Sequence, residues 1–368
     1  MRSRTRRRTG RFALSLLLAG IVSLTLVAPS GASPSPGADN PWLQRRIAAL
    51  AHAGGEDENP QETLFAFGRA AEAGVPILDM DVQLSADDVP VVIHDDTVDR
   101  TTNGTGPVHS MTAAQLGALD AAYWFSADCA TCHDRPASGY LYRGVRTGAV
   151  PPPAGSTADD FGVPTLEQVF ERFPHAYFSI EIKDDAADVT LLAQKTADLI
   201  HSHGLAARVV VSSFGGPGMP AFRKAAPDVA TSATLDEVED FFLSNTVPRD
   251  AQVLDVPPFY DLNGTKITVV SPDFVERAHE AGLAVWVWMD SKSEQNVDFY
   301  QKLLEMGVDG LNVSRPAALM HLLGQRGDAW DPNAPPTTST TTTTVPSETS
   351  GSSAPVARSV AATPSYTG

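Results

Sequence analysis

Between residues 40 and 325, short apolar runs rich in β-branched residues alternate with longer segments whose apolar residues recur every three or four positions. The runs are Ile47–Ala51, Ile77–Gln83, Ala176–Ile182, Arg208–Ser212, Val229–Ser232, Val253–Val256, Ala284–Trp288 and Gly310–Val313. Parallel strands buried on both faces read this way, and each needs a crossover to reach the next. The spacing predicts crossover helices at Glu62–Ala73, Asp188–His203, Leu235–Leu243, Pro272–Ala281 and Glu294–Met306. Eight alternations predict an α/β fold closed as a (β/α)8 barrel. A hydrophobic content of 42% supplies one large core, and no interior linker divides it.

One stretch breaks the rhythm. From about Asp95 to Thr165 the chain is rich in Gly, Pro, Thr and Asp, with Tyr123, Trp124, Phe125, Tyr140 and Tyr142 among them. This insertion follows the second strand, on the side where barrel enzymes build active sites from loops, so it either covers substrate or is a structural excursion.

Both ends differ from the middle. Six arginines precede an apolar run over Phe12–Val27 and then small residues, which reads as a signal peptide over 1–32, the alternative being an uncleaved anchor. Secretion or residence in the cell envelope follows, with no stable membrane anchor after cleavage. Losing the leader's arginines takes the formal charge from −17 to −23, which disfavours nucleic acid as a partner. The Thr/Ser/Pro-rich segment over 332–368 has too few large apolar groups to order itself and reads as a disordered tail or a stalk.

The chemistry concentrates where strands end. His52 follows the first run, Asp79 and Asp81 lie in the second, and Glu181 and Lys183 close the third. Residues two apart on a strand share a face, so each pair projects together into the barrel. Three carboxylates in one pocket repel, and a bound cation is the economical remedy; all-oxygen ligands favour Ca²⁺ or Mg²⁺. His94 ends a further short β-rich run before an Asp/Thr-rich turn, whereas His175, His201, His203 and His279 read as scaffold. Cys129, Cys132 and His133 spell CATCH: in an exported chain this is a disulfide first, a zinc site or haem attachment second.

The succession HxGG, ENPxETL, DxDVQLSADDVPVVIHDDTVDRTTNGTG, EIK, VWVWMD and GVDGLNVSRP resembles the glycerophosphodiester phosphodiesterase family across about residues 47–320. The resemblance implies a TIM-type barrel and one divalent cation on Asp79, Asp81 and Glu181. It also implies catalytic histidines at His52 and His94, a phosphate-contacting Lys183, and Trp288 near the substrate mouth. Its substrate would be a small glycerophosphodiester, split to an alcohol and glycerol phosphate in lipid or envelope metabolism. Related barrels suggest lysophospholipase D or sphingomyelinase D activity on a lysophospholipid, and a third reading is a non-catalytic envelope binding protein. The oligomeric state stays open.

Four departures stand against the family pattern. Ala53 replaces the arginine of an HRG motif, removing a bidentate phosphate contact for which Arg143 or Arg146 would have to substitute. Gln61 stands where a PENT motif has glutamate, Asp79 replaces a glutamate, and Ser314 replaces an aspartate.

Overall fold

The computed structural model describes residues 40–332 except Asn263 and Asp290. The leader, and the tail beyond Pro332, lie outside the described residues. Eight parallel strands form the barrel: β1 (Ala48–Ala51), β2 (Ile77–Leu84), β3 (Tyr177–Ile182), β4 (Val209–Ser212), β5 (Ala230–Thr231), β6 (Val253–Val256), β7 (Ala284–Trp288) and β8 (Gly310–Val313). They pair in the order β5-β4-β3-β2-β1-β8-β7-β6. The remaining seam, between the very short β5 and β6, closes on the single bridge Ser232–Val253. Gln252 N donates to Thr231 O at 2.9 Å and Ala233 N to Val253 O at 2.8 Å across it.

Helices cover the outside: α1 (Leu64–Glu72), α2 (Leu166–Arg172), α3 (Val189–Ser202), α4 (Gly218–Ala225), α5 (Leu235–Ser244), α6 (Pro272–Glu280), α7 (Val297–Glu305) and α8 (Pro316–Arg326). Side-chain oxygens of Thr63, Thr165, Asp188, Thr234, Ser271 and Asn296 accept from first-turn amides and set where six of them begin. Three helices escape periodicity: α2 is short, α4 carries Gly218 and Pro220 in its first turn, and α8 follows β8 with Pro316 at its start.

The large core lies between strands and helices, from outward residues such as Leu78, Met80, Ile180, Val211 and Val285 packed on Phe67, Leu192, Phe222 and Phe274. The interior follows the alternate set and is graded along the barrel axis. Ala48, Leu50, Ile77, Val253, Ala284 and Trp286 pack at the N-terminal end of the strands, where Trp42 stoppers the barrel. Trp42 meets Trp286 edge-on at 5.3 Å. At Gly310 a Cβ would lie 2.6 Å from the Trp286 indole, so only glycine lets that ring fill the barrel. Above this plug the same alternation delivers Asp79, Ser179, Asp255 and Asn312, and then Asp81, Glu181 and Trp288. An apolar floor under a polar mouth is what confines chemistry to the C-terminal end of the strands.

Beyond β2 the chain folds back as Pro90–Val92, antiparallel to β2, with Val82 opposite Val92. The insertion then builds small cores of its own, one from Val91, Ile93, Val98, Val108, Leu116, Ala121 and Val163, another from Ala122, Val145 and Phe161.

Candidate active site

The turn after β1 has three successive left-handed residues, Ala53 (φ 47°), Gly54 (φ 81°) and Gly55 (φ 91°). Gly55 N donates to His52 O at 2.7 Å, so the chain doubles back and sets Glu56 against His52. Glu56 Oε2 lies 2.5 Å from His52 Nδ1, and its Oε1 accepts from Ser314 Oγ at 2.7 Å. Ser314 is therefore the residue that orients the partner of His52. Gly55 is demanded as well by Pro316, whose ring would lie 2.7 Å from a Cβ.

His94 arrives from the antiparallel spur rather than from a barrel strand. Ile93 N donates to Asp81 O at 3.0 Å, which draws the spur's end to the mouth of β2. His94 Nδ1 meets Asp95 Oδ1 at 2.8 Å, and Arg100 grips both Asp95 oxygens at 2.7 Å. The disulfide hairpin adds a further tie: His133 Nε2 lies 3.0 Å from Arg100 O, beside the bonded Cys129 and Cys132.

Asp81 and Glu181 are opposite one another in the β2–β3 register, with Asp79 one step below, opposite Ser179. Lys183 stands between them, its Nζ 2.8 Å from Glu181 Oε1, 3.6 Å from Asp81 Oδ1 and 3.2 Å from His94 Nε2. Five of the expected residues, His94, Asp79, Asp81, Glu181 and Lys183, thus share one end of β2 and β3, and His52 joins them across β1. Trp288 ends β7 at the same mouth, edge-on to Phe214 at 6.0 Å.

The charges follow from this crowding. Burial works against a charge on His52, but the charge and hydrogen bond of Glu56, with Asp79 and Asp81 behind, raise it to about 10. The Asp81 charge and the Asp95 hydrogen bond raise His94 against burial. Burial and the Asp81 charge push Glu181 up to about 8, with Lys183 opposing. Burial resists ionisation of Asp81 too, yet Lys183 and the two histidines hold it well below the usual carboxylate range.

Among the described residues no three His, Cys, Asp or Glu side chains are already drawn together at ligating distance. The donor set nevertheless fits an oxygen-liganded cation. Glu62 Oε2, Asp255 Oδ1 and Asn312 Oδ1 are buried acceptors with no hydrogen-bond partner among the described residues, next to Asp79 or Asp81. A hard divalent ion satisfies lone pairs of this kind.

The missing arginine is not replaced by Arg143 or Arg146. Arg143 is enclosed by Tyr123, Trp124 and Tyr140, with its guanidinium carbon 4.1, 4.5 and 3.7 Å from their ring centres. Arg146 donates to Gly117 O at 2.7 Å and pairs with Asp159. The guanidinium at the site is Arg100, which lines a cleft of about 240 Å³ with Glu56, Gln61, Lys292, Ser314 and the tip of the disulfide hairpin. Sequence reasoning passed over Glu56, Asp95 and Arg100. The adjacency of Asp95 to His94 and the paired glycines ahead of Glu56 were the signals available.

Residues 52–318 match the model of the glycerophosphoryl diester phosphodiesterase family. A glycerophosphodiester phosphodiesterase of Caldanaerobacter subterraneus subsp. tengcongensis is 28% identical over 286 residues, 77% of this chain and all of that protein. Human glycerophosphodiester phosphodiesterase 1 is 43% identical over 77 residues, 21% of this chain and 23% of that protein. The crystal structure of a glycerophosphodiester phosphodiesterase from Agrobacterium tumefaciens superposes with a TM-score of 0.56 at 25% identity, covering 75% of this chain and 99% of the other. With the family's barrel and its run of motifs both present, this chain belongs to the glycerophosphoryl diester phosphodiesterase family and is a phosphoric diester hydrolase.

Proposed function

We propose that this protein hydrolyses a glycerophosphodiester to an alcohol and glycerol phosphate outside the cytoplasm, using His52 and His94 as an acid and base pair. The observation that carries the reading is that each imidazole has a carboxylate at Nδ1, Glu56 or Asp95, which reserves Nε2 as the nitrogen that exchanges a proton. The leader sequence supports export, as does a disulfide.

The pair is asymmetric. His52, raised to about 10, is an imidazolium at neutral pH and suits protonation of the departing alkoxide. The Lys183 ammonium can only donate, so its 3.2 Å contact presents His94 Nε2 as a lone pair. The Asp81 charge pulls His94 the other way, toward protonation; the direct contact fits only the neutral ring, and we assign His94 as base. Once Lys183 turns to the incoming phosphate and releases that lone pair, His94 would take a proton from water or from a neighbouring glycerol hydroxyl.

Asp79, Asp81 and Glu181 would hold a divalent cation, Ca²⁺ or Mg²⁺, which supplies charge neutralisation at the phosphate. Lys183 and Arg100 carry positive charge to the same end of the barrel. The cleft beside them is polar, and Tyr123, Trp124 and Tyr140 are occupied with Arg143 instead of lining an acyl groove. This favours a glycerophosphodiester with a small polar alcohol over the lysophospholipid of a lysophospholipase D.

Turnover of glycerophosphocholine and lysophosphatidylcholine by the purified mature protein tests the reading, with Ca²⁺ or Mg²⁺ restored after chelation and His52→Ala alongside. Cation-dependent hydrolysis of glycerophosphocholine, lost in the variant, is expected. Preference for lysophosphatidylcholine would overturn the substrate assignment, and full activity in His52→Ala the acid assignment.

A further inference from the structure

Between His52 and helix α1 the chain makes a second left-handed turn, at Glu62 (φ 56°), whose N–H donates to Ala53 O at 2.9 Å. The turn separates two neighbours. Gln61 faces the cleft, where its Oε1 accepts from Arg100 at 3.3 Å. Glu62 is carried inward instead, and is 4% exposed.

There its Oε1 accepts from the backbone N of Asp81 at 3.2 Å, and its side chain lies against the Asp81 carboxylate with Asp79 behind. Its Oε2 has no hydrogen-bond partner among the described residues. Two buried carboxylates in contact hold together only around a proton or a cation. Lys183, the nearest ammonium to Asp81, is already shared with Glu181 and His94. Among the described residues Glu62 forms no ion pair, and a glutamine in its place would keep the hydrogen bond its side chain accepts from Asp81 N.

We propose that Glu62 is a fourth carboxylate ligand of the divalent-cation site, so that the chain binds its metal through Asp79, Asp81, Glu181 and Glu62. The inference rests on the cation reading above and adds a ligand from outside the strands. It accounts for Gln61 as well: the glutamate lost from that position has its carboxylate supplied by the next residue, through the left-handed turn that points it inward. The added charge also offsets the shortened reach of Asp79.

The test is calorimetric titration of the chelated mature protein with Ca²⁺ and with Mg²⁺, for wild type, Glu62→Gln and Gln61→Ala, with thermal unfolding of each with and without the ion. Glu62→Gln is isosteric and keeps an acceptor for Asp81 N, so it should fold. Its cation affinity is expected to fall about tenfold or more, with Gln61→Ala close to wild type. The chelated Glu62→Gln protein should melt no lower than wild type and gain less on adding the ion. Unchanged affinity in Glu62→Gln would overturn the proposal, as would a lower melting point in chelator with an undiminished gain from the ion, which marks a purely structural residue. A wild type that binds neither ion while hydrolysing substrate in chelator would overturn both this inference and the cation reading, and leave the hydrolase assignment standing.

Discussion

Lys183 Nζ bridges Glu181 Oε1, at 2.8 Å, and His94 Nε2, at 3.2 Å, so a single ammonium couples the acidic end of β3 to the imidazole delivered by the antiparallel spur. Its side chain is 11% exposed, and burial resists its charge, but Asp81 and Glu181 raise its affinity for the proton. Replacing it by methionine keeps the volume and strands two carboxylates. In chelator, Lys183→Met should lose about 3–5 kcal/mol of stability, read from urea unfolding. Added Ca²⁺ should restore part of the loss. Equal stability of variant and wild type would mean that the ammonium neutralises neither carboxylate.

The Asp95 carboxylate acts on substrate only through His94, and the Arg100 fork fixes it in place. Asp95→Asn should lower kcat by about 10²–10⁴-fold and leave KM within a small factor, because Arg100 competes for the one oxygen the amide keeps and the ring is left with an uncharged acceptor or an NH₂ that no longer sets its tautomer. A change confined to KM would assign Asp95 to substrate binding.

Glu56 keeps His52 charged. The folded-state value of about 10 lies above the ordinary 6.5, so protonation of His52 favours the folded protein. That stability is complete below about pH 6.5 and is lost as pH rises through 10. Glu56→Gln removes its largest source. The unfolding midpoint of wild type should exceed that of Glu56→Gln most near pH 6 and least near pH 10, with the His52 resonance titrating lower in the variant by NMR. A gap that is flat with pH would deny the ion pair.

Asp255 shows a linkage of the same sign in a lower pH window. Burial, with Asp79 nearby, raises it to about 7 from 3.8, so the folded state holds a proton that the unfolded chain gives up. Stability therefore falls as pH rises from about 4 to 7. In chelator, Asp255→Asn should match wild type at pH 4 and exceed it by about 1–3 kcal/mol at pH 8. A variant less stable at pH 8 would show that the ionised carboxylate has a partner.

Much of this protein is legible locally. Period-two alternation alone places Asp79 and Asp81, and Glu181 and Lys183, on the inward face, because side chains on a strand alternate whatever the strand packs against. All eight barrel strands read as apolar β-branched runs because parallel strands are buried on both faces, and five helices are legible from their three- and four-residue spacing. Tertiary structure decided the rest. It brought His94 to the mouth on a folded-back spur, seated Arg143 among aromatic rings far from the role expected of it, and gave the cleft Arg100 instead. It also chose Glu62 over Gln61 for the interior, a matter of one left-handed residue. These outcomes depend on where distant segments are held in space, and a carboxylate's partner, burial and charge are properties of that arrangement rather than of its neighbours in the chain.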